Sequence, residues 1–248
     1  LIEIGWRRHS STILANMNDF TKDSDEVNPY TGQPYTNHVP PPCDEPVQIV
    51  HADEHIVVVD KPSGLLSVPG RIVKDCALNR IVFDYPEVRA VHRLDLDTSG
   101  LIVFARSKLA ISDINRQFRE RTVVKSYEAV VQGLVASNEG EIELKIAPDP
   151  INRPRQMISE EGKESLTRYE VIARDDRDSR VALYPVTGRS HQLRIHLAAI
   201  GHPILGCDLY ANEEAFGASE RLLLHAKTLS FTHPLTGETV DFGSTVPF

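Results

Sequence analysis

From Val47 to the last residue, short β-branched or apolar runs follow one another, separated by proline, glycine and aspartate. VQIV, HIVVVD, LIVFA, SYEAVVQG, EIELKI, LTRYEVIA and RVALYPV each have the length and residue types of a strand. LLLHAKTLSFTHPLTGETVDF reads as a closing hairpin that turns through HPLTGE. Helical periodicity is confined to two places. In SKLAISDINRQFRERT, Ser107 is placed to cap a helix whose Ala110, Ile111, Ile114 and Phe118 share one face. In TGRSHQLRIHLAAIGHP, Ser190 is the expected cap, Leu193, Leu197 and Ile200 share a face, and Gly201 ends the helix. Many strands with few helices, not in strict alternation, predict an α+β fold with a largely antiparallel mixed sheet and flanking helices.

Residues 1–46 have a different texture. NPYTGQPYTNHVPPPCDEP is rich in proline and turn formers and lacks a helical or strand period, so 1–46 reads as a poorly ordered acidic lead and 47–248 as the folded domain. Met17 opens MNDFTKDSDEV, and translation is expected to start there, leaving 1–16 untranslated. The lead holds seven acids and three bases, half of the chain's net charge of −8. The body is therefore only mildly acidic and can carry a basic groove, because phosphate binding answers to the local field. No apolar run reaches the ~18–20 residues of a membrane span, and the N-terminal stretch lacks the apolar core of a signal peptide. Cys43, Cys76 and Cys207 are odd in number and widely spaced, which argues against a disulfide framework and suits a reducing cytoplasm.

Polar residues concentrate at two motifs. HRLDLDTSGLIVFA (92–105) sets an arginine, two aspartates, a threonine, a serine and a glycine ahead of an apolar strand. An isolated Arg–Asp neighbour pair is ordinarily a surface ion pair, but this cluster suits a tight turn holding one carboxylate at a sheet edge. LDLDT also fits the DxDxT pattern of aspartate-based, magnesium-dependent phosphatases. That motif belongs after an apolar strand, and here the strand follows it. The second motif, TGRSHQLRIHL, crowds Arg189, His191, Arg194 and His196 into one turn and helix start, either a solvated helix face or an anion site. KSYEAVVQG puts Lys125 and Tyr127 on one side of a strand. A strand tyrosine is most often a core residue. With Arg116, Arg119, Arg121, Arg153 and Arg155 nearby, it also suits a stacking platform with a phosphate-tracking rim. The histidine spacings match no HExxH pattern, and there is no phosphate loop or GxGxxG fingerprint, so neither metal nor nucleotide cofactor is expected.

Taken in order, DKPSGLLSVPG (60–70), HRLDLDTSGLIVFA (92–105), KSYEAVVQG (125–133), PVTGRSHQLRIHLAAIGHPILG (185–206) and RLLLHAKTLSFTHPLTGE (221–238) resemble the RluA-like pseudouridine synthases. The resemblance covers nearly everything from Val47 onward. It implies the pseudouridine synthase catalytic fold with a central RNA-binding cleft and Asp95 as catalytic aspartate. Tyr127 would lie against the target base, Arg194 would pair with Asp95, and Leu193 would line the pocket. Arg93 would enter the gap left by the flipped base, while Arg116, Arg119, Lys125, Arg155, Arg189 and His191 would contact RNA. The lead is too short, acidic and proline-rich for the S4-type domain of many relatives. LLSVPGR, QFRER, NRPRQM and HPILG resemble the short dual-specificity subgroup acting on a tRNA anticodon stem-loop and a 23S rRNA hairpin. One departure is Cys207, where many relatives carry Asp after the glycine.

The reaction implied isomerises uridine: N1–C1′ breaks, the base turns, and C5 bonds to C1′. Nothing is gained or lost, so no cofactor is required, and RNA is the expected partner of a cytoplasmic monomer. One carboxylate suffices, as nucleophile at C1′ or base at C2′, where glycoside hydrolysis needs two. The same scaffold used as a non-catalytic RNA-binding or chaperone module is the alternative.

Overall fold

The computed structural model describes residues 39–248, of which Pro40–Phe248 form one compact unit. The readings made on residues 1–38, the Met17 start among them, lie outside the described residues. Cys43 and Val47 already pack against core side chains, and Arg80 holds the carbonyls of Cys43 and Glu45.

A single eleven-stranded mixed sheet organises the unit. Its strands are β1 (Gln48–Ala52), β2 (Ile56–Lys61), β3 (Arg89–Ala90), β4 (Ser99–Ala105), β5 (Val124–Gln132), β6 (Glu139–Pro148), β7 (Gln156–Ile158), β8 (Lys163–Arg174), β9 (Asp178–Pro185), β10 (Leu224–Thr232) and β11 (Thr239–Gly243). Along the sheet the order is β1-β2-β4-β10-β5-β9-β8-β6-β7, with β3 beside β4 and β11 beside β10. All pairings are antiparallel except β4 with β10, which meet in parallel over Ser99–His225 and Gly100–Ala226. Four helices complete the unit: α1 (Ala77–Ile81), α2 (Lys108–Glu120), α3 (Gln192–Ala199) and α4 (Glu213–Gly217).

The apolar runs of β2 and β4 are continuous rather than alternating because both faces of those strands are covered. Ile56, Val58, Leu101 and Val103 pack with Ala110 and Ile114 of α2, while Val57, Val59, Ile102 and Phe104 pack with Ala77 and Ile81 of α1. Each buried Val, Leu, Ile or Phe among them contributes about 1.5–3 kcal/mol. The other half of the sheet builds its own core, with Ala129, Val131, Val181 and Leu183 under Leu193 and Leu197 of α3. Tyr127 packs against both halves.

The strands expected from the sequence all form, and α2 starts where expected, the Ser107 hydroxyl accepting the Ala110 N–H at 3.1 Å. The α3 expectation needs correction. Ser190 is not its cap: the N-cap is His191, in the left-handed region at φ 55° and without a side-chain cap bond. Order in that turn comes from Gln192, whose Oε1 accepts the Arg189 N–H and the Thr187 hydroxyl. Nor is α3 one-sided, since Gln192 through Leu197 are all buried and Ile200 is exposed.

Candidate active-site cleft

Asp95 lies in the segment between β3 and β4, and the backbone there is pinned from beneath. The Ser67 hydroxyl donates to the Leu94 carbonyl at 2.7 Å and accepts the Leu94 N–H at 3.0 Å. Leu94 is buried, so its chain neighbours Arg93 and Asp95 both turn toward the cleft. Ser63 donates to the Asp97 carbonyl at 2.7 Å. Lys61, fully buried, donates to the carbonyls of Pro62, Leu65 and Leu96 at 2.8, 2.6 and 2.9 Å. Burial pulls the Lys61 pKa down to about 7, opposed by the carboxylates of Asp97 and Asp95. Three acceptors for three N–H bonds mark it as the ammonium form. The support expected from a tight turn within the motif therefore comes from elsewhere. Ser99 and Gly100 already belong to β4, and Gly100, at φ 110°, lies so close to Ala226 that a Cβ would meet its carbonyl oxygen at 2.3 Å.

Above this floor is a cleft of about 540 Å³. Its walls come from the Asp95 segment, the end of α2, β5 and the turn into α3. Lining it are six cations (Arg93, Arg119, Arg121, Lys125, Arg189 and Arg194) and a single carboxylate, Asp95. Lys125 and Tyr127 both face it, as their period-two spacing on β5 predicted, and Leu193 closes one side. Arg155 is not among the lining residues; its guanidinium lies over the Tyr210 ring at 5.6 Å. Arg116 is not among them either. It bonds Asp113 and Glu120 on its own helix at 2.5 and 2.8 Å, which spends its charge locally. His92 accepts the Val103 N–H at 3.0 Å and stacks on Phe118, and burial, with Lys125 nearby, holds its pKa at about 3. It is a neutral support of the wall.

Among the described residues, the two non-glycine residues with positive φ are Arg121 and His191, and both line the cleft. A left-handed conformation costs an ordinary residue about 1 kcal/mol or more, and such strain gathers at functional sites. Sequence inspection gave no sign of it, because neither residue is the glycine that φ > 0 normally selects.

The ion pair expected between Arg194 and Asp95 is not formed. Arg194, 2% exposed, bonds Asp208 and directs Nε and Nη2 at Cys207 Sγ, both at 3.3 Å. Burial disfavours its charge, but Cys207, Asp95 and Asp208 more than compensate and raise its pKa above the ordinary arginine value. Arg194 therefore acts on Asp95 through its field, while Cys207 supplies one of its acceptors. The cation-capable group nearest the Asp95 carboxylate is His191, its Nε2 3.9 Å from Oδ1. Burial pushes the Tyr127 pKa above the ordinary tyrosine range, with Asp95 adding to the effect, so the phenol keeps its proton. One ionisable carboxylate in a half-enclosed pocket, ringed by cations and floored by an aromatic ring, suits a flipped base on a phosphate backbone.

A family model described as RNA pseudouridylate synthase matches residues 55–199. The dual-specificity RNA pseudouridine synthase RluA of Pasteurella multocida is 50% identical over 212 residues, which cover 84% of this chain and 97% of that protein. Its counterpart in Escherichia coli K12 is 49% identical over the same shares. Among solved structures, human RNA pseudouridylate synthase domain containing 1 superposes with a TM-score of 0.73 at 29% identity, covering 85% of this chain and 87% of that one. The chain belongs to the RNA pseudouridine synthase family and is an RNA-modifying isomerase of the RluA group.

Proposed function

We propose that the protein converts uridine to pseudouridine both in a tRNA anticodon stem-loop and in a 23S rRNA hairpin, with Asp95 as its essential group. The observation that carries this reading is the lining of the cleft: one carboxylate among six cations. A chain of net charge −8 concentrates positive charge where a phosphate backbone would run. The dual-specificity relatives support the two-target reading.

In this scheme the target uridine leaves its stack and enters the cleft, with Tyr127 against the base. Unstacking costs a few kcal/mol, which Arg93 offsets by filling the vacated space and Tyr127 by stacking. Arg119, Lys125 and Arg189 follow the backbone on either side. Arg155, over Tyr210, and Arg116, on the outer face of α2, serve RNA only at its periphery. Asp95 then attacks C1′ and displaces N1, or removes the C2′ proton as N1 departs. The turned base bonds through C5 to C1′, which frees Asp95 or returns the proton to C2′, and C5 loses its hydrogen. Both routes need an ionised carboxylate out of bulk water, which the Arg194 field favours. The catalytic domain is taken as 47–248, acting as a cytoplasmic monomer. No helix among the described residues is long and apolar enough to cross a membrane.

The test is tritium release from RNA labelled at uridine C5, using unmodified tRNA transcripts and 23S fragments. Asp95→Asn should lower turnover by about 10³-fold or more while leaving RNA binding within two-fold. Release by Asp95→Asn at the wild-type rate would remove Asp95 from the scheme. Binding without release by the wild type would favour the non-catalytic module.

A further inference from the structure

Tyr210 stands behind the cleft wall, and its hydroxyl has two neighbours. It accepts the backbone N–H of Gln156 at 2.7 Å and lies 2.8 Å from His191 Nδ1. Gln156 supplies a hydrogen and cannot take one there, so the phenol proton has Nδ1 as its acceptor. Burial, the dominant influence, raises the Tyr210 pKa to about 12, so that proton is present at neutral pH. Burial also lowers the His191 pKa, although Asp95 opposes the effect. A neutral imidazole carries one N–H. With Nδ1 accepting, that hydrogen sits on Nε2, the atom 3.9 Å from Asp95 Oδ1. The opposite tautomer would leave the phenol proton without a protein acceptor among the described residues.

We propose that Tyr210 is a positioning residue that locks His191 in its Nε2–H tautomer, so that a neutral donor faces the Asp95 carboxylate. The left-handed backbone of His191 at φ 55° directs the ring into this bridge between Tyr210 and Asp95. Closing the gap to hydrogen-bond length takes about 1 Å, the kind of tightening that bound substrate brings. A neutral donor orients the carboxylate, while the Arg194 field, with that guanidinium bonded to Asp208 and Cys207, keeps it ionised. The same phenol anchors β7 through Gln156, beside Arg155 on its ring. This inference rests on Asp95 being the reacting carboxylate.

The test is ¹⁵N NMR of ring-labelled histidine in the full chain, with His191 assigned by its loss in His191→Gln. The wild-type ring should be protonated on Nε2. Tyr210→Phe should release it to a mixture of tautomers and lower kcat about ten-fold, the worth of one ordinary hydrogen bond, with RNA affinity within two-fold. His191→Gln, which can offer an amide N–H near the Nε2 position, should exceed His191→Leu in kcat by a similar factor. A wild-type ring protonated on Nδ1, or Tyr210→Phe with unchanged kcat, overturns the inference. Either result leaves the Asp95 assignment standing, because Asp95→Asn tests that separately.

Discussion

Ser67→Ala removes one oxygen atom, yet it should disturb both the fold and the chemistry. Ser67 is 3% exposed and its hydroxyl makes two bonds to one residue, donating to the Leu94 carbonyl and accepting the Leu94 N–H. Alanine leaves both backbone groups buried without those partners. Each orphaned group costs about 1–3 kcal/mol, and relaxation recovers part, so the expected loss is about 2–4 kcal/mol. Set against a typical total of about 5–15 kcal/mol, the variant still folds. With a urea slope of about 2–3 kcal/mol/M for a unit of this size, the midpoint should fall by about 1–2 M. Leu94 sits between Arg93 and Asp95, so slack there displaces the carboxylate, and a misplacement of about 1 Å costs up to about 10²-fold in rate. Tritium release should therefore drop about 10- to 100-fold in kcat while RNA affinity, set by the untouched cations, stays within two-fold. Ser126→Ala, which loses an exposed bond to Thr228, is the control and should change stability by less than about 0.5 kcal/mol. A Ser67→Ala midpoint within about 0.3 M of wild type, with kcat within two-fold, would refute the claim that Ser67 holds Asp95 in place.

Gly100→Ala should cost more than about 4 kcal/mol, seen as insoluble expression or a collapsed urea midpoint, because its Cβ would strike Ala226 backbone atoms at 2.3–2.8 Å. Arg119→Ala should weaken RNA binding and reduce the salt slope by about 1, whereas Arg116→Ala should leave both unchanged, since Arg116 is already paired with Asp113 and Glu120. Asp53 supplies a pH test. Burial raises its pKa, but hydrogen bonds from His51, the His55 and Ile56 amides and His233 outweigh it and hold the carboxyl at about 2. A depressed folded pKa means stability that is complete above the unfolded value near 4 and lost as pH falls toward 2. Asp53→Asn should thus cost about 1 kcal/mol at pH 7, after discounting for its exposure, and progressively less as pH falls through 2. Equal destabilisation at both pH values, by urea melts, would remove charge as the cause.

The fold was largely legible because its strands are local signals: β-branched runs bounded by turn formers, several buried on both faces. α1, β7 and α4 were not, being three to five residues long and dependent on their surroundings. At the site, motif residues pointed to Asp95, Tyr127 and Leu193, which do share a cleft. What could not be read were relations across the chain. Arg194 turns to Asp208, fourteen residues on, rather than to Asp95. Lys61, Ser63 and Ser67 hold the Asp95 segment from about 30 residues upstream, in DKPSGLLSVPG, whose Pro and Gly mark a loop but not which backbone groups its side chains reach. Helix periodicity also misled at Ser190, because the turn before α3 is ordered by the Gln192 amide and not by a hydroxyl.

The insertion of β10 between β4 and β5 divides the site across the sheet. Asp95 belongs to the side made by β2 and β4, and Tyr127, His191 and Arg194 to the side made by β5, β9 and α3. The strand that joins them, Leu224–Thr232, runs antiparallel along β5 but meets β4 in parallel at only two residue pairs, His225 with Ser99 and Ala226 with Gly100. The spacing between the carboxylate and the groups that face it is therefore set at a short seam, where the close approach of Gly100 to Ala226 leaves no room for a side chain.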